Sequence, residues 1–156
     1  MKIASFLIGL AACGGTIASQ TDSGSPPPDS SIPSTNNGVV IHACGPTDGI
    51  VHEFSFNEAV TCQAPMVADD TLTITLDALL TGPATIDLAP GGKGVASICT
   101  FVGCDTATQG KLVVTTFDTS KNLASGSYTF TTPDAKVHAA TFTNIPICTN
   151  NTTMCG

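Results

Sequence analysis

The clearest order along this chain has a period of two. Residues 71–77 read TLTITLD, so Leu72, Ile74 and Leu76 share one face and Thr residues the other. Strict alternation of this kind predicts a half-buried β-strand. Residues 126–132, GSYTFTT, put Tyr128 and Phe130 on one face, and residues 111–118, KLVVTTFD, are apolar and β-branched. Weaker runs at 39–43, 50–56, 84–88, 94–102 and 136–143 bring the expected strands to about eight. Turn residues fill the intervals: GPTDG at 45–49, Thr81-Gly82-Pro83, Pro90-Gly91-Gly92, Ser125-Gly126 and Pro133-Asp134. Only 57–68 permits a helix, and Pro65 interrupts it. No repeat of domain-building length is visible. Short strands spaced about 10 to 15 residues apart predict an all-β fold, an antiparallel β-sandwich or barrel-like domain.

The first 38 residues do not share the pattern. Residues 1–12, MKIASFLIGLAA, carry Lys2 and then an apolar run from Ile3 to Ala12. Ten helical residues rise about 15 Å, half a bilayer core, so the run is too short to span and reads as a secretory signal peptide. Residues 14–38, GGTIASQTDSGSPPPDSSIPSTNNG, are nearly all Gly, Ser, Thr, Pro, Asn, Asp and Gln. Nothing in them offsets the entropy of ordering a backbone, and the Pro26-Pro27-Pro28 run favours extended polyproline II. They are expected to be a disordered tether, followed by one folded unit over 39–156 long enough to bury a core.

The segment Leu10-Ala11-Ala12-Cys13 resembles a bacterial lipobox, in which the Cys is lipidated and becomes the mature N-terminus. The resemblance implies a lipid on Cys13, and Gly14 after it, rather than Asp, implies delivery to the outer membrane. The alternative is ordinary secretion with cleavage further on, for example after Ala18.

Composition narrows the partners. The 156 residues include 5 Lys, no Arg, and 12 Asp plus Glu, for a formal net charge of −7. That chain lacks the basic footprint that nucleic acids and anionic lipid surfaces require. Membrane contact would have to come through acyl chains. Thr is unusually frequent, with 24 residues. Its β-branch suits a pleated surface, and its hydroxyl keeps an outer face wet without charge.

The seven Cys are Cys13, Cys44, Cys62, Cys99, Cys104, Cys148 and Cys155. No C-x2-C pair suggests a zinc site, and in an exported domain the six after Cys13 are read as three disulfides. Cys99 and Cys104 can meet across a hairpin around Gly103. A Cys44–Cys62 bridge would have to reverse a strand of about 20 Å, so Cys44 and Cys62 are expected to reach Cys148 and Cys155 in an order left open. The competing scheme is local throughout: 44–62, 99–104 and 148–155.

Larger pieces of the chain also carry a resemblance. Ala43-Cys44-Gly45-Pro46-Thr47-Asp48-Gly49 opens the domain, and Ala124-Ser125-Gly126-Ser127-Tyr128-Thr129-Phe130 follows later. Ala140-Thr141-Phe142, Cys148 and Cys155-Gly156 complete the layout. It resembles a group of uncharacterised Cys-rich lipoproteins of myxobacteria. The likeness implies a secreted β-domain behind a lipid anchor, and no particular activity, cofactor or site residue.

Candidate chemistry is sparse. His42 and His52 would meet if their strands pair across 45–49; His138 stands apart. His52-Glu53 lacks the second His of a helical zinc-protease motif. Ser55, Ser97, Ser125 and Ser127 are not in a G-x-S-x-G elbow. Asp48, Asp69 and Asp70 offer oxygens for Ca2+, but adjacent carboxylates are the ordinary content of a solvated turn. Glu53 and Glu58 are the only Glu residues, and Asn150 and Asn151 begin N-x-T sequons. No catalytic residues, metal ligands or cofactor are therefore assigned, and the chain is expected not to be an enzyme.

Three function classes stay open. One is a cell-envelope lipoprotein displaying a structural or interaction domain to an unidentified protein or glycan. Another is a carbohydrate-binding module, which usually needs exposed rings; with no Trp and one Tyr, Phe101 is the plausible displayed ring. The last is a protease-inhibitor-like domain that offers Thr100, Phe101 and Val102, in the Cys99–Cys104 loop, as bait.

Overall fold

A computed structural model describes residues 34–35, 37–45, 49–65 and 70–149. The strands are β1 (Ser34–Thr35), β2 (Gly38–Cys44), β3 (Ile50–Phe56), β4 (Thr71–Leu76), β5 (Ala84–Asp87), β6 (Gly94–Thr100), β7 (Gly103–Thr106), β8 (Gln109–Asp118), β9 (Leu123–Thr131) and β10 (Val137–Pro146). They form two five-stranded sheets, ordered β1-β10-β9-β8-β5 and β2-β3-β4-β6-β7. All pairings between named strands are antiparallel except the short β1–β10 pair. The expected β-sandwich is thus the fold.

Alternation explains how each sheet finds its inner face. Phe54 and Phe56 of β3, Leu72, Ile74 and Leu76 of β4, Leu112 and Val114 of β8, Tyr128 and Phe130 of β9, and Phe142 of β10 belong to one buried cluster. Polar neighbours at the intervening positions lie on the opposite face, where Thr73, Thr75 and Thr129 are half-buried or exposed and Ser55 is buried. β2 departs from the alternation because it is buried on both sides. Val40 joins the main core, whereas Val39 and Ile41 join a second cluster with Val60, Cys62 and Cys148. The loop after β3 supplies that cover, held by the Ser55 hydroxyl, which donates to the Pro65 carbonyl at 2.8 Å.

One side of the sandwich is closed by residues 147–148 and by β1. Past β10, Ile147 bridges in parallel to Val40, and the Cys148 N–H donates to the Val40 carbonyl at 2.8 Å. The Cys62–Cys148 disulfide, with Cα atoms 5.3 Å apart, locks the same corner. β1 pairs with Thr141 and Phe142 on the outer edge of β10. The segment read as a tether therefore joins the sheet at its last residues.

Two further differences from the sequence reading are local. The run expected as one strand over 94–102 ends at Thr100, turns at Phe101 and Val102, and returns as β7. Two apolar, strand-favouring residues at the turn hid it. The helix-permissive stretch forms no helix in its described part, 57–65.

Gly126 marks a tight place in the sheet that contains β8, β9 and β10. It sits opposite Val114 beside a register shift in β8 and opposite Phe142 on β10. A Cβ there would land on the Val113 carbonyl oxygen and 2.8 Å from Phe142 Cζ, whereas one at Gly82 would meet nothing within 4 Å. Backbone cannot swing aside as a side chain can, so Gly126→Ala is expected to cost about 2 kcal/mol or more. Gly82→Ala should stay within about 0.5 kcal/mol of wild type. Urea unfolding of both variants checks this; equal midpoints would contradict the packing described.

Candidate functional site

Three places gather chemistry-bearing side chains, and strand register creates each of them. β2 and β3 pair so that His42 lies opposite His52. Their rings stack with centroids 5.1 Å apart, and His52 also packs on Phe117 at 5.0 Å. His52 is only 5% exposed. Its Nδ1 accepts the Leu80 N–H at 2.8 Å, which fixes the neutral ring with its proton on Nε2. Burial first, and the neighbouring His42 second, pull the His52 pKa from 6.5 down to about 4. This is the environment of a core histidine that positions the loop after β4. Glu53, next in sequence, lies on the other face, where its carboxylate accepts the Thr75 hydroxyl at 2.8 Å. The pair of His rings and a carboxylate thus do not converge, and no group of three or more His, Cys, Asp or Glu among the described residues could hold a metal ion.

A second cluster, which sequence reasoning missed, lies in the β9–β10 turn. The buried Thr132 hydroxyl donates to Asp134 Oδ1 at 2.6 Å, with the Lys136 carbonyl at 3.1 Å and His138 Nε2 at 3.5 Å. His138 stacks on Phe130 at 5.1 Å. Burial, aided by Lys136 and opposed by Asp134, lowers its pKa. Thr, Asp and His side by side suggest a nucleophile and base. However, the carboxylate accepts from the hydroxyl rather than from the imidazole, so nothing orients the ring as a base. The contacts tie a turn whose Ala135 takes φ of 64°. Only the hairpin register brings these side chains together, which is why spacing did not reveal them.

The third place is the β6–β7 hairpin. Cys99 and Cys104 are directly opposed and disulfide-bonded. Beyond them Thr100 pairs with Gly103, leaving Phe101 and Val102 as a two-residue loop. The Thr100 hydroxyl accepts the Val102 N–H at 3.2 Å and lies 3.3 Å from the Gly103 carbonyl, to which it can donate. Phe101 is 87% exposed and Val102 80%. The expected display of Phe101 is thus real, and Val102 accompanies it. Among the described aromatic residues no other ring is exposed.

The remaining candidates are consumed internally or lie elsewhere. Ser97 hydrogen-bonds Thr106 at 3.3 Å, and Ser125 Oγ accepts the Asn144 N–H at 2.9 Å. The Asp70 carbonyl accepts from Asn57 Nδ2 at 3.2 Å. Ser127 lies half-buried within β9, and Glu58 is exposed in the loop after β3. A cleft of about 330 Å3 lies beside the loop after β4, with Leu76, Leu79, Leu80 and Ile86 among its lining residues and Asp77 and Lys93 as its charged ones. Cys62 bonds Cys148, which excludes the all-local disulfide scheme. Cys44 is also disulfide-bonded; the sequence expectation leaves Cys155 for it. Cys13, Asp48, Asp69, Asn150, Asn151 and Cys155 lie outside the described residues.

No protein-family model, curated protein or solved structure matches the chain.

The His52 environment generates a pH dependence. Its folded pKa lies below its unfolded value, so the unfolded chain binds the extra proton. The His52 contribution is complete above pH 6.5, falls as pH drops from 6.5 towards 4, and is lost below that. The loss is on the order of 3 kcal/mol. Depressed His138 adds to it in the same direction. In His52→Gln, which keeps an acceptor for Leu80, the slope of unfolding free energy over this window should flatten. Parallel wild-type and variant lines would contradict the assignment.

Proposed function

We propose that the protein is a cell-envelope lipoprotein. In this reading residues 1–12 direct export, Cys13 carries lipid, and the β-sandwich is displayed as a non-catalytic interaction or structural domain. The observation that carries the reading is the state of the cysteines. Cys62–Cys148 and Cys99–Cys104 are cystines and Cys44 is bonded too, a density that belongs to an oxidising compartment. With Cys155 as the partner of Cys44, Cys13 is the odd thiol, at the end of an export signal, and lipidation gives it a role.

Charge supports acyl chains as the anchor. Removing 1–12 leaves 4 Lys against 12 acids, so no basic patch helps hold the chain on an anionic surface. Each buried CH2 contributes about 0.8 kcal/mol, and one myristoyl-length chain binds only marginally. The two or three chains of a bacterial lipoprotein hold firmly, and Gly14 fits outer-membrane delivery.

The non-catalytic part rests on where the polar side chains go. His52, Glu53, Ser55 and Thr132 each make a hydrogen bond within the fold itself. A sugar platform gains little support, because Phe101 would have to act without a second ring. The bait reading meets a geometric obstacle. Proteases read several residues of extended backbone, and here the residues flanking Phe101 and Val102 are already paired with each other.

Detergent phase partitioning tests the anchor. Wild type should enter the detergent phase and Cys13→Ser the aqueous phase. Both in the aqueous phase, or a mature N-terminus near Ser19, would mean simple secretion.

A further inference from the structure

Most positive-φ positions carry residues suited to them, Ala135 in the β9–β10 turn being the exception. Asn122 takes φ of 55° at the β8–β9 turn and Gly91 takes 75° before β6. Two-residue hairpin loops favour primed turns, with Asn, Asp or Gly at positive φ. At the β6–β7 loop the sequence instead places Phe101 and Val102, and neither is among the non-glycine residues with positive φ. Turn chemistry and solubility both argue against this pair. A local rule broken without a compensating contact inside the fold points to a contact outside it. The cystine one step behind the loop and the Thr100 hydroxyl within it hold the pair in place before any partner arrives.

We propose that Phe101 and Val102 form a preorganised plug for an apolar pocket, rimmed by basic side chains, on a partner protein. The inference goes beyond the lipoprotein reading and does not use the anchor, since it would hold equally for a freely secreted chain. The sign of the rim follows from the charges around the tip. β2, β3, β4, β6 and β7 contain no Lys, and the chain has no Arg; of their two acids, Asp105 lies by the tip, whereas Glu53 pairs with Thr75, opposite Val95 at the far end of β6. Asp105 lies on the hairpin itself, and Asp70 precedes Thr71, the β4 partner of Cys99. Lys93 lies at the far end of β6, about 20 Å of strand away. Lys111 on β8 and Lys121 in the β8–β9 turn are close to Asp87 and Asp118, and Lys136, in the β9–β10 turn of the other sheet, lies beside Asp134. An acidic surround repels anionic bilayers, whereas a buried aromatic anchor within complementary rim charges is how protein interfaces concentrate affinity. Fixing the loop beforehand lowers the ordering cost of docking.

The test puts a benzophenone-bearing phenylalanine analogue at position 102 of the full chain and irradiates whole cells of the source together with their medium. The expected result is a discrete protein adduct whose yield falls as salt is raised. Soluble Cys13→Ser chain should compete it away, and the same chain with Phe101→Ala should compete at least about ten-fold less well. Equal competition, salt-independent yield, an adduct to lipid, or no adduct overturns the proposal. So does flotation of the Cys13→Ser chain on phosphatidylglycerol–phosphatidylcholine vesicles that depends on Phe101. None of these results alters the outcome of phase partitioning, so the two readings fail separately.

Discussion

Phe54 and Phe56 of β3, Tyr128 and Phe130 of β9 and Phe142 of β10 meet between the sheets with centroids 5.1–6.4 Å apart. The chain has one Tyr, no Trp and 7 Phe, and most of its rings are committed to this layer. Histidines border it: His52 packs at a tilt against Phe117, and His138 lies over Phe130. Rings so placed fix which face of β3, β9 and β10 points inward, and so help to set the register of the pairs these strands make. The two clusters that look chemical, at His42–His52 and at Thr132–His138, are consequences of that register. Their groups are used to finish the rim of the core.

The layer also decides what is left for the surface. With most aromatic area spent inside, the outer faces are rich in Thr and Ser, and among the described residues the exposed large apolar side chains are Ile50, Leu79, Phe101, Val102 and Val137. The two described cystines serve different ends of this arrangement. Cys62–Cys148 closes a sequence separation of 86 and pins the second small core, so it acts on the whole fold. Cys99–Cys104 closes a separation of only 5, where loop entropy offers little, and its effect is to stiffen an exposed hairpin. A scaffold that holds one hydrophobic tip in place is the physical basis of the binding role inferred for it.

Much of the fold was legible because alternation is a direct record of half-burial. TLTITLD predicted β4 almost to the residue, and the eight expected runs all contain strands. β7 was hidden because Phe101 and Val102 continue a strand pattern through a turn. β1 was hidden because Ser34 and Thr35 lie inside a stretch whose composition signals disorder. The uninterrupted apolar run in β2 gave a strand, but not the reason, which is the loop carrying Val60 and Cys62 across its outer face. Phe101 was legible as a displayed ring from the Cys spacing around it. The Thr132 cluster was not, because it exists only once β9 and β10 are in register.

The central claim is that the Cys99–Cys104 bond orders the tip while the sandwich stands without it. Hydrogen exchange of the Cys99→Ser/Cys104→Ser variant, followed by mass spectrometry, tests this most directly. The account predicts faster exchange confined to about residues 97–106 and unchanged protection in β3, β4, β8 and β9. Loss of protection throughout the core, or no change at the tip, would contradict it.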